Sequence, residues 1–207
     1  MIAALFIAAA VAAAANWIAV ERDNRRLEYV AKPATTMLLV AAAVTIHASC
    51  RGEHIAVVAA LVLCLAGDMF LMLPSDQFVP GLASFLLGHV GFIVGFVLAR
   101  GPHPLWIVTL PAAVVAIGAS ARPVLRGAVA QDPRLRVPVV AYMTVIAVML
   151  AASALPPNRL AIAGAAVFVL SDSILARDRF VATMRHGRLA TMVTYHAALA
   201  LIVLSLR

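Results

Sequence analysis

Eight apolar runs, each of bilayer-spanning length, follow one another along the chain with only short polar breaks between them. They can be drawn at residues 2–20, 30–47, 54–73, 80–99, 104–121, 137–155, 159–176 and 189–206. A helix rises about 1.5 Å per residue, so about 20 residues cross about 30 Å of hydrocarbon. Backbone polar groups in lipid must be satisfied internally, and the breaks leave no room for a soluble domain, so the runs are predicted to be helices. The predicted fold class is therefore all-α, a polytopic transmembrane bundle of eight helices over residues 1–207. The first run lacks a basic segment before its apolar stretch and continues directly into further runs, so it is expected to be a retained helix rather than a signal peptide.

Polar residues inside the runs are few. Seven of the nine acidic residues fall between the runs, whereas Asp68 and Asp172 lie within them, in Leu65-Ala66-Gly67-Asp68-Met69-Phe70-Leu71 and Leu170-Ser171-Asp172-Ser173-Ile174-Leu175. A carboxylate near mid-bilayer costs roughly 2.5–3.5 kcal/mol on insertion scales, so a functional role is the default reading of each. Asp68 is five residues from Leu73 and Asp172 four from Ala176. These spacings put them roughly 7–8 Å and 6 Å inside the same end of the bundle. Tyr142, Tyr195 and His196 enter from that end on runs of opposite direction, His89 sits nearer the middle, and Lys32 begins the second run there, followed by Pro33. A cavity opening at that end is the simplest arrangement that satisfies them all. Lys32 is the only lysine beside fifteen arginines, which suggests a need for a compact ammonium rather than a planar guanidinium. Its alternative role is a snorkelling interface residue.

Composition agrees with the pattern: 64% of residues are hydrophobic and 12% charged, with mean hydropathy +1.03, too little polar surface to cover a soluble globule. The net charge of +7 does not point to nucleic acid, because the arginines cluster between runs rather than on one soluble face. Alternating the breaks between two sides places twelve of the 16 Lys and Arg together: Arg22, Arg25, Arg26, Lys32, Arg122, Arg126, Arg134, Arg136, Arg177, Arg179, Arg185 and Arg188. Arg51, Arg100, Arg159 and Arg207 remain opposite. The positive-inside rule makes the first set cytoplasmic and both termini non-cytoplasmic. Cys50 and Cys64 fall in a far-side loop and within a run, and form neither a disulfide framework nor a zinc spacing. Heavy Ala and Arg usage suggests a bacterial inner membrane.

The two aspartate phrases lie 104 residues apart, and Arg26-Leu27 with Pro33 aligns loosely with Arg134-Leu135 and Pro138. A duplication of four helices plus four would give parallel repeats about an axis along the membrane normal, with the aspartates facing each other near it. Chance recurrence in an Ala/Val/Leu-rich chain is the alternative.

The ordered set of these residues resembles the lysoplasmalogenase family of YhhN-like eight-span membrane proteins. The resemblance runs through Lys32-Pro33, Gly67-Asp68 with Leu71, Phe85 with Gly88-His89, Gly164-Ala165, Phe168, Ser171-Asp172, Leu175, Phe180 and Tyr195. One departure is Leu199, where the family is expected to carry a glutamine; His196 could replace part of its role. The resemblance implies hydrolysis of the vinyl ether bond of lysoplasmalogens to a fatty aldehyde and glycerophospho-ethanolamine or -choline. That chemistry protonates the β-carbon, forms an oxocarbenium-like cation and captures it with water, so it needs one protonated carboxylic acid and one carboxylate, as in glycoside hydrolysis. Asp68 and Asp172, sharing one proton, are the expected catalytic pair, with His89 as supporting partner or proton relay. Lys32 is expected to meet the substrate phosphate, while Tyr142, Ser171, Tyr195 and His196 orient water, substrate or the acids, or else simply bond between helices. No cofactor or metal is expected, and the partners are a lysophospholipid substrate and membrane lipids.

A proton-coupled transporter is the competing reading, since embedded Asp and His serve proton relays. Against it, the acids lie toward one leaflet, and no Gly/Pro-broken helix pair occupies matching positions. A metal-dependent lipid hydrolase using Asp68, Asp172, His89 and His196 is a third, but no closely spaced ligand motif is present. Asp76, Gln77, His47, His54, His103, Asp178 and His186 read as loop or interface residues. Gly81, Gly88, Gly91 and Gly95 have the small-residue spacing that lets helices approach closely.

Overall fold

The computed structural model describes residues 1–73, 75, 77–101, 106–156 and 158–207. Asp76 and His103 lie outside the described residues. Each predicted run overlaps a helix: α1 (Ile2–Glu21), α2 (Arg25–Thr45), α3 (Arg51–Met72), α4 (Phe78–Leu98), α5 (Trp106–Gln131), α6 (Arg136–Ala152), α7 (Arg159–Phe180) and α8 (Gly187–Leu204). A single 3-10 turn at Pro133–Leu135 leads into α6, and among the described residues there is no strand. Among the described residues, seven helical segments are long and apolar enough to cross a membrane, and the protein is a multi-pass integral membrane protein.

Three helix ends differ from the apolar pattern, each for a local reason. α2 starts at Arg25 rather than near residue 30, because the Asn24 side chain accepts a hydrogen bond from Leu27 N–H and caps the helix. Pro33 therefore lies in the interior of α2 and not in its first turn. It offers no N–H to the Tyr29 carbonyl one turn back, a loss that usually bends or weakens a helix. α5 continues past residue 121 to Gln131 through Pro111 and Pro123, so Arg122 and Arg126 sit on a helix and not in a loop. α7 runs on to Phe180, which leaves Asp172 eight residues, about 12 Å, inside that end.

Sequential helices pack in pairs, α1 on α2, α3 on α4, α5 on α6 and α7 on α8; α2 also meets α3 and α8, and α4 meets α6. Exchanging the two halves maps the α2–α8 packing onto α6–α4, but the α1–α8 and α5–α7 contacts break the correspondence, so the packing does not establish the predicted repeat. The centre is filled by Phe92, Phe96, Phe168, Leu39, Leu61, Met149, Leu199 and Ile202, all fully buried. Leu199, in place of the expected glutamine, is thus core packing. On α4, Gly88, Gly91 and Gly95 lie directly against Cys64, Ala60 and Val57 of α3, the close approach that their spacing predicts.

At the end where α1 meets α2 and α7 meets α8, Arg188 donates to both oxygens of Glu28 at 3.1 and 2.9 Å and to Asp23 at 3.2 Å. Glu28, which falls in a break by the apolar pattern, is a buried residue of α2. These charge-assisted bonds tie the first turn of α8 to that of α2 beside the candidate functional residues.

Candidate functional site

Asp68 lies one turn from the end of α3 and is completely buried. Its Oδ2 accepts hydrogen bonds from the hydroxyls of Thr36 on α2 and Tyr195 on α8, each at 2.8 Å. Its Oδ1 faces the Lys32 ammonium at 3.3 Å, an ion pair without directed hydrogen-bond geometry. Three helices thus converge on one carboxylate. Breaking such a buried pair from one side costs about 3–5 kcal/mol, because the remaining charge stays uncompensated.

Asp172 on α7 has a different set of neighbours. The Tyr142 hydroxyl of α6 donates to its Oδ2 at 2.9 Å, and Nε2 of His89 on α4 stands 3.4 Å from the same oxygen. His89 Nδ1 lies 2.6 Å from the Phe85 carbonyl one turn earlier. The histidine ring is fully buried and walled by Phe92, Phe168 and Tyr142 at edge-on angles. The two expected carboxyl groups thus have different immediate neighbours, Asp68 an ammonium and Asp172 an imidazole. Phe168 bridges the clusters, its ring centroid 4.5 Å from His89 and 5.6 Å from Tyr195. Gly67 makes room for the Phe85 ring, whose nearest carbons would lie 2.6 Å from a Cβ there.

Two cavities adjoin these clusters. One is apolar; it is walled by Leu82, Phe85, Ile117, Val139, Met143 and Ile146 among others, and Asp172 and Tyr142 are on its lining. The other is larger and more polar, bounded by Arg25, Glu28, Lys32, Asp178, Arg179 and Arg188. Leu71, Phe78, Leu175 and Arg179 line both. The Arg179 guanidinium lies 4.9 Å from the centroid of the Phe78 ring, a cation–π contact at the boundary. An amphiphile with one chain and a charged head matches this division.

Of the residues singled out in the sequence, Asp68, Lys32 and Tyr195 form one cluster and Asp172, His89 and Tyr142 the other. Ser171 joins neither, because its hydroxyl donates to the Thr191 carbonyl at 3.0 Å and links α7 to α8. His196 also stands apart: its Nδ1 accepts from the Trp17 indole N–H at 3.1 Å, and it packs against α1. Four contributors escape the sequence reading. Thr36 is ordinary in a membrane helix, Glu28 and Arg188 look like solvated end charges, and Trp17 looks like an interface aromatic. Only the offset of four that places Thr36 on the same helical face as Lys32 could have flagged it. Among the described residues, no group of three or more His, Cys, Asp or Glu is placed to hold a metal ion.

Comparison with known proteins connects this site to named relatives. The chain is 36% identical over 146 residues to the Homo sapiens protein named lysoplasmalogenase TMEM86B, a match covering 70% of this chain and 61% of the relative. The Rattus norvegicus and Mus musculus proteins of the same name match at 33% and 34% identity over the same length, covering 59% and 61% of those chains. The matched region is thus less than two thirds of the relatives' own length. No solved structure matches the chain. The YhhN family model matches residues 27–206, from the start of α2 to the end of α8 and across both aspartate clusters, and the chain belongs to the YhhN family.

Proposed function

We propose that the protein is a membrane-embedded hydrolase that cleaves the vinyl ether bond of lysoplasmalogens, releasing a fatty aldehyde and glycerophospho-ethanolamine or -choline. The observation that carries this reading is the position of Asp172: it lies on the wall of an apolar cavity, backed by Tyr142 and His89, beside a polar cavity lined by charged side chains. The names of the relatives favour the same substrate class. In this reading the alkyl chain lies in the apolar cavity and the phosphate in the polar one near Lys32. The vinyl ether then falls at the boundary, within reach of Asp172. Asp68 holds Lys32 and Tyr195 in place.

The reaction proceeds by proton transfer to the β-carbon, capture of the resulting cation by water, and collapse of the hemiacetal. Positioned acid–base catalysis of this kind contributes about 10²–10⁴-fold. The excess of Lys and Arg at the site end favours a cytoplasmic orientation for that end, with both termini opposite, by the positive-inside rule. The test is aldehyde release from a lysoplasmalogen by the detergent-purified protein, beside Asp68→Asn and Asp172→Asn variants shown to be folded and monodisperse. The expected result is activity in the parent and a loss of at least about a hundredfold in each variant. A parent inactive on vinyl ether lysolipids would refute the reading.

A further inference from the structure

His89 fixes where the proton of the site sits. A carbonyl can only accept, so the 2.6 Å approach of Nδ1 to the Phe85 oxygen puts a hydrogen on Nδ1. The neutral ring then presents a bare lone pair at Nε2. That nitrogen is buried, has no hydrogen-bond partner among the described residues, and faces Asp172 Oδ2 at 3.4 Å. A lone pair opposed to an ionised carboxylate in a poorly screened interior is repulsive, so one proton belongs between the two atoms. The ring is walled by Phe92, Phe168 and Tyr142, and the acid opens onto an apolar cavity. In such surroundings a carboxylic acid donating to a neutral imidazole buries no charge, whereas an ion pair buries two.

Asp68 is the opposite case. Two hydroxyls donate to it, and a lysine ammonium faces its other oxygen, so every neighbour calls for an anion. It is fully buried and lines neither of the two cavities.

Resting on the hydrolase reading, we propose that Asp172, protonated and backed by His89, is the one carboxyl group that exchanges protons with the substrate. Asp68 is a positioning residue, ionised throughout, that holds Lys32, Thr36 and Tyr195. The cycle closes on a single acid. Asp172 gives its proton to the β-carbon as the double-bond electron pair forms the new C–H bond, and the ether oxygen shares a lone pair to make the oxocarbenium ion. The Asp172 carboxylate, now facing that cation, takes a proton from water as the water oxygen bonds to the α-carbon. The hemiacetal hydroxyl then loses its proton while the bond from the α-carbon to the glyceryl oxygen breaks and that oxygen is protonated, leaving aldehyde and alcohol. The His89–Asp172 pair ends as it began.

Two measurements test this. Infrared difference spectra of the purified protein at neutral pH, parent minus variant, should show the carbonyl stretch of a protonated carboxylic acid for Asp172→Asn and none for Asp68→Asn; His89→Gln should shift that band. The reverse pattern, or no acid band in the Asp172→Asn difference, overturns the assignment. In the aldehyde assay, Lys32→Met combined with Asp68→Asn should have a kcat within about threefold of Lys32→Met alone, since residues acting through one another are non-additive. A further hundredfold loss in the double variant makes Asp68 a reacting group and overturns the proposal. If the parent releases no aldehyde while the infrared pattern is as expected, the proton assignment stands and the hydrolase reading falls.

Discussion

Tyr142 and Tyr195 each direct their one hydroxyl hydrogen at an aspartate, yet the consequences of removing them differ. Tyr195→Phe leaves Asp68 with Thr36 and Lys32, and deletes one hydrogen bond to a charged group, worth about 1.5–3 kcal/mol. The expected result is a melting temperature lowered by several degrees, read by a thermal scan in detergent, with a modest fall in kcat. Tyr142→Phe acts on Asp172, the proposed acid. It is expected to reduce kcat about tenfold with KM and melting temperature little changed, and equal losses in KM and kcat would contradict that role. The single lysine is legible as unusual from sequence alone, but its partner is not. Lys32 and Asp68 stand 36 residues apart on different helices, and nothing in the spacing of either run says that they meet.

At the scale of helices, the approach of α3 to α4 rests on residues with no side chain. Gly67→Ala would set a methyl group 2.6 Å from carbons of the Phe85 ring, and displacing Phe85 disturbs the carbonyl that orients His89. Overpacking costs about 1–3 kcal/mol, more than the up to about 1 kcal/mol that alanine gains over glycine in a helix. The variant is expected to melt lower and lose most aldehyde release. Gly118→Ala, with nothing within 4 Å of the new Cβ, should melt at or above the parent temperature. Apolar run length predicts each helix to within a few residues at most ends. It misjudges α5 and α7, because Arg122, Arg126, Arg177 and Arg179 lower hydropathy without breaking the helix. The same blindness hides Glu28 and Arg188, which read as loop charges and fold into a part-buried ion pair.

For the whole molecule, charge asymmetry makes an orientation prediction that needs no substrate. Alkaline phosphatase fused after Arg207 should be active in intact bacteria, and a fluorescent protein fused there should be dark, since both report a C-terminus outside the cytoplasm; the opposite pair of results reverses the topology. The sequence identifies two embedded acids and the end of the bundle they share, because charged residues in lipid are too costly to be incidental. It does not reveal that they work in different surroundings, one beside an ammonium and the other beside an imidazole, since that depends on how α2, α4, α6 and α8 are arranged around them. The shared wall of Leu71, Phe78, Leu175 and Arg179 has one more consequence for the proposed reaction. Once the bond is cut, the aldehyde is left on the oily side of that wall and the glycerophosphoryl fragment on the watery side. The two halves then depart into different phases, with no common place in which to recombine, and the turnover is driven forward by partitioning.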